Sequence, residues 1–433
     1  MRFIIHGGKP LSGDVTIGGA KNAATKMMVA ALLSPDPVFL ENFPFIGDTD
    51  IAAELCKVFG ADVSFNKETK TARIATPMII RTEALNLTRR NRIPILSLGP
   101  LLARAGAAIV PTVGGDKIGP RPVDLHLDAL RALGARIKRY DDRYEARAPH
   151  GLTGAHIHFK FPSVGATENA LLAAVLAHGT TVITNAALEP EVVDLMKLLQ
   201  KMGAIIGLGS GHTIVIEGVA SLHGARHRIL PDRNEAVSFG VLGVAAQGPI
   251  RVRGAVQGHL MTFLNTIRKI GGNYEIEDGG IVFSAGGDLR AISIETDSHP
   301  GFMTDWQQPL SVLLTQVRGK STIHETIYED RFGYADDLNN MGARIVTSTK
   351  CLGELPCRFC GLGFRHSASI DGPTPLRGAS IKVRDLRSGM AHVIAALLAQ
   401  GESVIDGVDE IDRGYEQLDR RLAALGADII RIE

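Results

Sequence analysis

The chain has 433 residues, of which 45% are hydrophobic, and its formal net charge at pH 7 is +1. This length is enough for two or three domains that each bury a core of their own. A balanced charge and an aromatic content of 5% argue against a protein built to bind nucleic acid or an anionic membrane. No apolar run reaches the roughly 18 residues of a membrane-spanning helix.

The first predicted element is a β-strand at the beginning of the chain. Its sequence, MRFIIH (1–6), is too short and too polar for a secretory signal peptide. We therefore expect a cytoplasmic protein with neither a membrane nor a nucleic acid as its partner, in the form of a monomer or a weak oligomer.

A helix-like segment that ends in Gly-Ala or Gly-Gly recurs along the whole chain, at intervals of about 70 residues. The glycines are Gly60, Gly134, Gly203, Gly271, Gly342 and Gly426. Glycine tolerates the left-handed conformation that ends a helix, and the residues after each glycine favour a strand. Because the period is longer than that of the common solenoids, the sequence predicts six copies of one α/β unit within globular domains.

Apolar helices are predicted within the repeats. The segment ALLAAVLA (170–177) is apolar on nearly every face, which is typical of a buried helix. Lys21, Ser163 and Arg233 stand near the predicted beginnings of such helices, where free backbone N–H groups attract anions. We expect helices inside each domain, sheets around them, and helix ends that bind anions.

Three of the four cysteines, Cys351, Cys357 and Cys360, lie close together, and His366 follows them. This segment lengthens the last repeat and is interpreted as an insertion near 351–366. Thiolates and imidazole suit a tetrahedral zinc site, but the spacing matches no common zinc module. We expect a solvent-exposed, reduced loop without a bound metal, with a structural zinc site as the alternative.

A series of short motifs occurs in order along the chain. They are GGAKNAA (18–24), GPLLAR (99–104), GPRPVDLH (119–126), SVGAT (163–167), NAA (185–187) with EPE (189–191), LPDR (230–233), HPGF (299–302) with TD (304–305), ETIYEDRF (325–332), DLR (385–387) and IDRGYE (411–416). Each is weak alone, but together they resemble the enolpyruvyl transferases, in particular those whose acceptor is UDP-N-acetylglucosamine. The resemblance covers the whole chain apart from the cysteine-containing insertion.

The resemblance implies an α/β fold with two inside-out α/β barrel domains, each of three βαβαββ repeats. One domain would cover residues 22–229, and the other would combine residues 1–21 with residues 230–433. The chain would cross between the domains near Lys21 and Leu230, which suits a hinge that closes over substrates.

The resemblance also implies an enzyme. It would move the enolpyruvyl group of phosphoenolpyruvate to the 3-hydroxyl of UDP-N-acetylglucosamine and release phosphate, in the first committed step of peptidoglycan synthesis, without a cofactor or a metal. Phosphoenolpyruvate carries a phosphate and a carboxylate, so its site needs fixed cations. The positions that match the family's substrate-binding cations are Lys21, Arg92, Arg121, Arg331 and Arg413; Asn22, Asp385 and Arg387 hold further matching positions.

The acceptor is expected along two segments of the chain. The resemblance assigns the nucleotide to Arg121, Pro122, Val123, Asp124 and Leu125, and to Ser163, Val164 and Gly165. The main-chain carbonyl of Ile327 would help to hold the amino-sugar. Phe161 stands where a lysine is common in relatives, which removes a phosphate contact unless the adjacent Lys160 replaces it.

Four residues are expected to take part in the chemistry: Asp116, Asp305, Lys21 and Arg413. Asp305 holds the position of the family's general base, although it could also cap a helix. Asp116 stands where most relatives have a cysteine that acts as the general acid. A carboxyl group has a reference pKa of about 3.9, so burial or nearby anions must raise that pKa before it can serve as an acid at neutral pH. Because fosfomycin alkylates the family's cysteine, Asp116 predicts resistance to this inhibitor.

Other interpretations stay open at this point. Arg92 aligns by its distance to Gly99, but Arg89 and Arg90 are close competitors. The acceptor could be another nucleotide or shikimate 3-phosphate, or the chain could be an inactive paralogue that binds a UDP-sugar. A nucleic-acid-processing protein related to RNA 3′-phosphate cyclase is a further alternative, which the low aromatic content does not favour.

Overall fold

The computed structural model describes residues 1–87, 91–112, 122–246, 248–355 and 357–433. The chain divides into two compact units. The central unit consists of the described residues of Gly19–Gly115 and of Pro122–Leu230, and the terminal unit contains Met1–Gly18 and Pro231–Glu433.

Short strands and helices alternate along the chain. The strands are β1 (Arg2–His6), β2 (Gly13–Thr16), β3 (Val38–Glu41), β4 (Asp62–Asn66), β5 (Thr71–Ala75), β6 (Ala107–Pro111), β7 (Arg136–Arg139), β8 (Arg143–Arg147), β9 (His156–His158), β10 (Thr180–Thr184), β11 (Ile205–Gly209), β12 (Thr213–Glu217), β13 (Arg226–Arg228), β14 (Ile250–Arg253), β15 (Asn273–Glu277), β16 (Gly280–Ser284), β17 (Ser293–Glu295), β18 (Gly319–His324), β19 (Ile345–Ser348), β20 (Ser367–Gly372), β21 (Ser380–Lys382), β22 (Glu402–Asp406) and β23 (Asp428–Ile432). The α-helices are α1 (Lys21–Ala30), α2 (Gly47–Val58), α3 (Leu98–Ala105), α4 (Asp124–Ala132), α5 (Val164–Ala174), α6 (Pro190–Lys201), α7 (Arg233–Ala245), α8 (Gln257–Ile270), α9 (Gln307–Leu314), α10 (Ala335–Asn340), α11 (Leu386–Leu398), α12 (Val408–Asp412) and α13 (Leu418–Ala424). Short 3-10 segments lie at Ala31–Leu33, Ile93–Ser97 and Thr304–Trp306.

Three small sheets are present among the described residues of the central unit. Their strand orders are β13-β3-β5-β4, β6-β8-β7 and β11-β12-β10-β9. β13 joins β3, and β9 joins β10, in parallel, while the other neighbours are antiparallel. Side chains alternate between the two faces of a strand, so Ile214 and Ile216 of β12 are buried while the alternate residues Thr213 and Val215 are only partly buried.

The terminal unit is built in the same way. Its sheets, among the described residues, have the orders β15-β16-β14-β2, β17-β18-β20-β19 and β21-β22-β1-β23. β1 pairs in antiparallel fashion with β22 and with β23, and Phe3 lies opposite both Ile405 and Arg431. The predicted first strand is therefore confirmed, and it lies in one sheet with the last strand of the chain.

All six repeat glycines adopt the left-handed conformation. Their φ angles range from 96° at Gly134 to 105° at Gly60. The glycines follow α2, α4, α6, α8, α10 and α13 and precede β4, β7, β11, β15, β19 and β23, respectively. The same helix–glycine–strand order thus occurs six times, which confirms the predicted α/β repeat. Glycine is favoured at each of these turns because a residue with a Cβ would be strained there.

The inner helices are buried along nearly their whole length. In the terminal unit, α9 is buried at every residue, α7 is buried over 233–244 and α11 over 386–397, and the three helices pack against one another. In the central unit, α5 is buried over 166–174 and packs against α3 and α4. The prediction of helices inside each domain is confirmed. Within the described ranges, no helix has both the length and the apolar character that crossing a membrane requires.

Candidate active site

Asp305 lies between two buried arginines of the terminal unit. It belongs to the 3-10 segment that leads into α9, and its side chain is 18% exposed. Oδ1 accepts a hydrogen bond from Arg331 Nη2 at 2.6 Å, and Oδ2 accepts one from Arg387 Nε at 3.0 Å. The two arginine side chains are only 4% and 6% exposed. The structure thus brings together the predicted base and two of the residues predicted to bind substrate.

Asp305 and its neighbours keep both arginines protonated in spite of their burial. Burial lowers the pKa of Arg387, but Asp305, Tyr415 and Asp232 together raise it by more, so the net pKa lies above its ordinary value. The pKa of Arg331 is raised in the same way, against the effect of burial. The two guanidinium groups are charged donors of the kind that binds an anionic ligand, and Asp385 and Glu325 also act on Arg331 and offset part of the positive charge.

Glu325 connects the turn that carries Asp305 with the segment that follows β18. Oε2 of the buried Glu325 accepts from Thr304 Oγ1 at 2.9 Å and from Gln307 Nε2 at 2.5 Å. Oε1 accepts from the backbone N–H groups of Ile327 at 2.8 Å and of Tyr328 at 3.0 Å. Burial raises the pKa of Glu325. Glu325 lies in one of the predicted motifs but had no predicted role, and its position in that motif was the available signal.

Tyr415 links Arg387 to the inner helix α7. Its buried hydroxyl accepts from Arg387 Nη1 at 3.3 Å and lies 3.0 Å from Ser238 Oγ. Burial raises the pKa of Tyr415, so its hydroxyl stays protonated at neutral pH. Arg387 is therefore held from two sides, by Asp305 and by Tyr415.

Arg413 forms a separate ion pair at the end of α12. Its Nη1 donates to Glu410 Oε2 at 2.6 Å, and its side chain is 14% exposed. The adjacent Asp412 is held by Arg431, whose Nη1 donates to Asp412 Oδ2 at 2.7 Å. The local structure thus fixes the backbone on which Arg413 lies.

Several helix ends are capped by side chains of the same chain. Asp232 Oδ1 accepts from two N–H groups of α7 at 2.8 and 3.3 Å. Asp385 Oδ1 accepts from two N–H groups of α11 at 3.1 and 3.0 Å, and Ser163 Oγ accepts from one N–H of α5 at 3.4 Å. At these three helices the N-cap side chains use one or two of the N–H groups that were expected to bind anions. α1 differs, since Ala20 has no side chain that can cap it.

In the central unit, Lys21 begins α1 and pairs with a buried aspartate. Its Nζ lies 2.8 Å from Asp48 Oδ2, and the two side chains are 13% and 5% exposed. Asn22 follows it, and the carbonyl oxygen of Asn22 accepts from Lys26 Nζ at 2.6 Å. An anion that binds Lys21 would therefore share this cation with Asp48.

Arg92 precedes the 3-10 segment Ile93–Ser97 and acts on a buried histidine. Burial, and then the charge of Arg92, lower the pKa of His126 to about 3. His126 is thus neutral at physiological pH. This effect places the Arg92 charge near α4, which begins within the predicted nucleotide-binding motif.

Gly165 packs against the same histidine from the beginning of α5. A Cβ at position 165 would lie 2.9 Å from His126 Cε1, which is too close for an ordinary contact. At the neighbouring ring atom, His126 Nδ1 accepts from Asn169 Nδ2 at 3.3 Å. Arg92, α4 and the Ser163–Val164–Gly165 segment are therefore joined around one neutral imidazole.

Some predicted residues lie outside the described residues: Asp116, Arg121, Arg89 and Arg90. Pro122 and Val123 directly precede α4, while Asp124 and Leu125 form its first two positions. Lys160 is exposed and Phe161 is half-buried.

A buried carboxylate that the sequence analysis did not single out lies on α5. Burial raises the pKa of Glu168 to about 7; Lys26 opposes this effect, and Glu191 and Glu189 add to it. Lys26 Nζ lies 3.8 Å from Glu168 Oε1. Neither oxygen of Glu168 has a hydrogen-bond partner within the described part of the chain. A charged residue inside an otherwise apolar helix was the signal that could have identified it.

The cysteine-containing insertion contacts the segment that carries Ile327. Arg358 Nη2 donates to the main-chain carbonyl oxygen of Ile327. Cys351 and Cys357 are half-buried, while Cys360 is exposed. The expectation of a wholly solvent-exposed loop is therefore wrong, because part of the insertion packs against the domain.

Comparison with known proteins identifies the family. The model of the EPSP synthase (3-phosphoshikimate 1-carboxyvinyltransferase) family matches residues 5–422. The chain belongs to this family. The predicted resemblance to enolpyruvyl transferases is confirmed, and the match covers nearly the whole chain.

Relatives within the EPSP synthase family share a more specific name. The UDP-N-acetylglucosamine 1-carboxyvinyltransferase of Protochlamydia amoebophila is 46% identical, over 99% of this chain and 94% of its own length. The protein of that name from Chlamydia pneumoniae is 47% identical, over 97% of this chain and 92% of its own. The one from Caulobacter vibrioides is 41% identical, over 100% of this chain and 98% of its own.

Solved structures of enolpyruvyl transferases share the fold. The enolpyruvyl transferase NikO from Streptomyces tendae superimposes with a TM-score of 0.88 at 25% identity, over 99% of this chain and 98% of that chain. EPSP synthase from Acinetobacter baumannii superimposes with a TM-score of 0.73 at 16% identity, over 99% of this chain and 100% of that chain. The predicted fold class is confirmed.

Proposed function

We propose that the protein transfers the enolpyruvyl group of phosphoenolpyruvate to the 3-hydroxyl of UDP-N-acetylglucosamine and releases phosphate. Relatives at 41–47% identity that carry the name of this activity support the proposal. The structural observation that carries it is the carboxylate of Asp305 between the guanidinium groups of Arg331 and Arg387. A base and fixed cations are the groups that this reaction requires.

Asp305 acts as the general base in this proposal. The acceptor hydroxyl gives its proton to Asp305 while its oxygen attacks C2 of phosphoenolpyruvate, and C3 receives a proton. The tetrahedral adduct then loses a proton from C3 and expels phosphate, which restores the double bond. No redox step occurs, so the reaction balances without a cofactor, and fixed cations stabilise the developing charge.

The two arginines control how well Asp305 accepts a proton. In the described structure, two guanidinium groups hold the carboxylate, and this stabilises its ionised form. When the anionic groups of phosphoenolpyruvate bind the same cations, their hold on Asp305 weakens. Asp305 then becomes a stronger base at the moment when the acceptor hydroxyl must be deprotonated.

The remaining predicted residues bind the two substrates. The phosphate and carboxylate of phosphoenolpyruvate bind the cationic side chains, and the nucleotide binds near α4 and the beginning of α5. The cations are Lys21, Arg92, Arg121, Arg331 and Arg413, and the backbone at Asn22 adds to anion binding. The residues for the acceptor are Pro122, Val123, Asp124, Leu125, Ser163, Val164, Gly165 and Ile327. Asp385 and Arg387 complete the substrate-binding set. Arg92 is kept as the assigned residue, and its charge acts on His126, at the nucleotide-binding segments.

Asp116 supplies the proton to C3 in place of a cysteine thiol. The phosphate and carboxylate of the bound substrate would raise the pKa of this carboxyl group, while Lys117 would oppose them. A carboxylate is a weaker nucleophile toward an epoxide than a thiolate is, so we expect resistance to fosfomycin. Rapid, irreversible inactivation by fosfomycin would contradict this assignment.

The reaction would place the protein in the cytoplasm, where it would start peptidoglycan synthesis and thereby serve cell-wall biogenesis, cell shape and cell division. The decisive assay measures phosphate release from phosphoenolpyruvate with UDP-N-acetylglucosamine, UMP and shikimate 3-phosphate as separate acceptors. Release with the UDP-sugar alone is expected. Release only with another acceptor would keep the mechanism but overturn the substrate, and no release despite UDP-sugar binding would indicate an inactive paralogue.

A further inference from the structure

Two cysteines and two histidines of the terminal unit lie close together around the insertion. We call them the Cys-His cluster: His324, Cys351, Cys357 and His366. One potential ligand atom from each residue lies within 4.8 Å of all the others. The ligand atoms of a tetrahedral zinc site are about 3.3–3.8 Å apart, so a small contraction would complete such a site.

Each histidine of the cluster uses one ring nitrogen to contact the chain. His324 Nδ1 lies 2.9 Å from Ser367 Oγ, and its Nε2 is buried without a hydrogen-bond partner among the described residues. His366 Nδ1 donates to the carbonyl oxygen of Phe364 at 2.7 Å, and its Nε2 lies 3.3 Å from Cys351 Sγ. Histidines that bind metals are oriented in this way, and a metal ion would supply the missing partner of His324.

The surroundings of Cys357 suit a thiolate. The backbone N–H of Phe359 donates to Cys357 Sγ at 3.4 Å, which would stabilise a negative charge on the sulfur. The side chain of Phe359 is 3% exposed, and its ring centroid lies 6.1 Å from that of His366. An N–H donor to sulfur and an apolar cover are typical of the surroundings of a metal site.

We propose that the Cys-His cluster binds one Zn²⁺ ion in a closed, tetrahedral, structural site. Two thiolates and two imidazoles are ligands that zinc prefers, and the two thiolate charges balance those of the ion. The site would be structural rather than catalytic, because four protein ligands leave no position open for water or substrate.

The ion would join the insertion to the end of β18. The insertion already contacts the domain: the N–H groups of Glu354 and Leu355 each donate to the Glu295 carboxylate at 2.8 Å, and Arg358 donates to the carbonyl of Ile327. A bound zinc ion would thus fix the segment after β18. Its effect on the amino-sugar contact of Ile327 rests on the proposed function, whereas the metal site itself does not.

From the sequence, a structural zinc site at the insertion was only the alternative, and His324 was not part of it because this residue is distant from the other ligands in the chain. His324 is the last residue of β18, and α10 and β19 separate it from Cys351 in the sequence. No Cys-His spacing rule therefore includes it. Pairing of β18 with β20 brings His324 opposite Ser367, next to His366. Sheet register, rather than local sequence, assembles the cluster.

The test measures zinc in the full-length protein, purified without a polyhistidine tag and without chelators. Elemental analysis should find one zinc per chain, and chelation should lower the melting temperature by roughly 5 °C. Replacement of zinc by Co²⁺ should give the absorption bands of tetrahedral cobalt with thiolate ligands. A folded chain that contains no zinc and binds none when zinc is added would overturn the proposal, and so would a disulfide between cysteines of the insertion.

Matched variants identify the ligands. Cys357→Ser and His324→Asn should lose the zinc, while Cys360→Ser, a change at the exposed cysteine, should retain it. Circular dichroism confirms that each variant is folded, and the cobalt spectrum of the unmodified chain remains informative if a ligand variant does not fold. Retention of zinc by Cys357→Ser together with its loss from Cys360→Ser would contradict this ligand set. If a variant loses zinc but keeps its transferase activity, the proposed zinc site still stands, and only its effect on Ile327 is contradicted.

Discussion

Asp305 Oδ2 and Arg387 Nε are joined by a hydrogen bond of 3.0 Å, although the two residues lie 82 positions apart in the sequence. Arg387 was interpreted from sequence as a substrate-binding residue. The contact shows that Arg387 also positions the carboxylate proposed as the general base, because Tyr415 holds the same guanidinium group from its other end.

Arg387→Lys should impair catalysis more than substrate binding. An ammonium keeps the positive charge but cannot contact Asp305 and Tyr415 with the geometry of a guanidinium. We expect kcat to fall by about 100-fold, with a smaller change in KM, because the base is displaced.

The matched control for this variant is Arg384→Lys, at an exposed position three residues earlier. It should leave kcat and the pH profile unchanged. Equal effects of the two substitutions would show that Arg387 does not position the base.

Tyr415→Phe should destabilise the protein by about 1–3 kcal/mol, because it removes a partner from the buried Arg387 guanidinium. Chemical denaturation measures this loss. Tyr144→Phe, at a buried tyrosine of the other unit, is the control and should lose less stability than Tyr415→Phe. A Tyr415→Phe protein with unchanged stability would contradict the proposed link.

Gly165→Ala should weaken nucleotide binding and stability. The new Cβ would lie 2.9 Å from His126 Cε1, so either the histidine or the beginning of α5 must move. We expect a loss of about 1–3 kcal/mol in stability and a higher KM for the UDP-sugar.

Gly258→Ala is the matched control, since both glycines lie in the first turn of a helix. A Cβ at position 258 meets no atom within 4 Å, so the substitution should be neutral or slightly stabilising. If the two variants behave alike in thermal unfolding and in KM, the contact with His126 has no effect on the site.

Glu168 should make stability fall as pH rises. Its pKa is about 7 in the folded protein, above the ordinary value of 4.5, so the folded state binds its proton more tightly than the unfolded state does. The stabilisation of the folded state that comes from protonated Glu168 is complete below pH 4.5 and is lost as pH rises through about 7. Glu168→Gln should therefore remove about 1–3 kcal/mol of the decline in unfolding free energy between pH 5 and pH 8.

Urea unfolding at a series of pH values measures this change. Glu68→Gln, at an exposed glutamate, serves as the control and should keep the slope of the unmodified protein. An unchanged slope in Glu168→Gln would show that this carboxylate is not the group responsible.

Much of the fold could be predicted from the sequence because it depends on short, local sequence patterns. Glycine at each helix end and an apolar sequence such as 170–177 determine turns and buried helices without long-range information, and the structure confirms both. The N-caps were also visible in the sequence, since Asp232, Asp385 and Ser163 are favoured cap residues. The beginnings of these helices were assigned to anion binding, and the cap side chains take part of their N–H groups.

The contacts within the site could not be predicted in the same way. The pairing of Asp305 with Arg387 and the approach of His324 to Cys351 depend on how distant strands and helices pack. The motifs named the residues of the site, but only packing shows that Arg387 holds a carboxylate or that Lys21 already has Asp48 as a partner.

The most direct test of the central claim is the identity of the product formed from phosphoenolpyruvate and UDP-N-acetylglucosamine. Proton NMR and mass spectrometry should show an enolpyruvyl ether on the 3-oxygen of the sugar with the unmodified protein. Asp305→Asn should form it about 100- to 10,000-fold more slowly, because the general base is lost. An unmodified UDP-sugar after incubation with the folded protein, or the same rate with Asp305→Asn, would contradict the account.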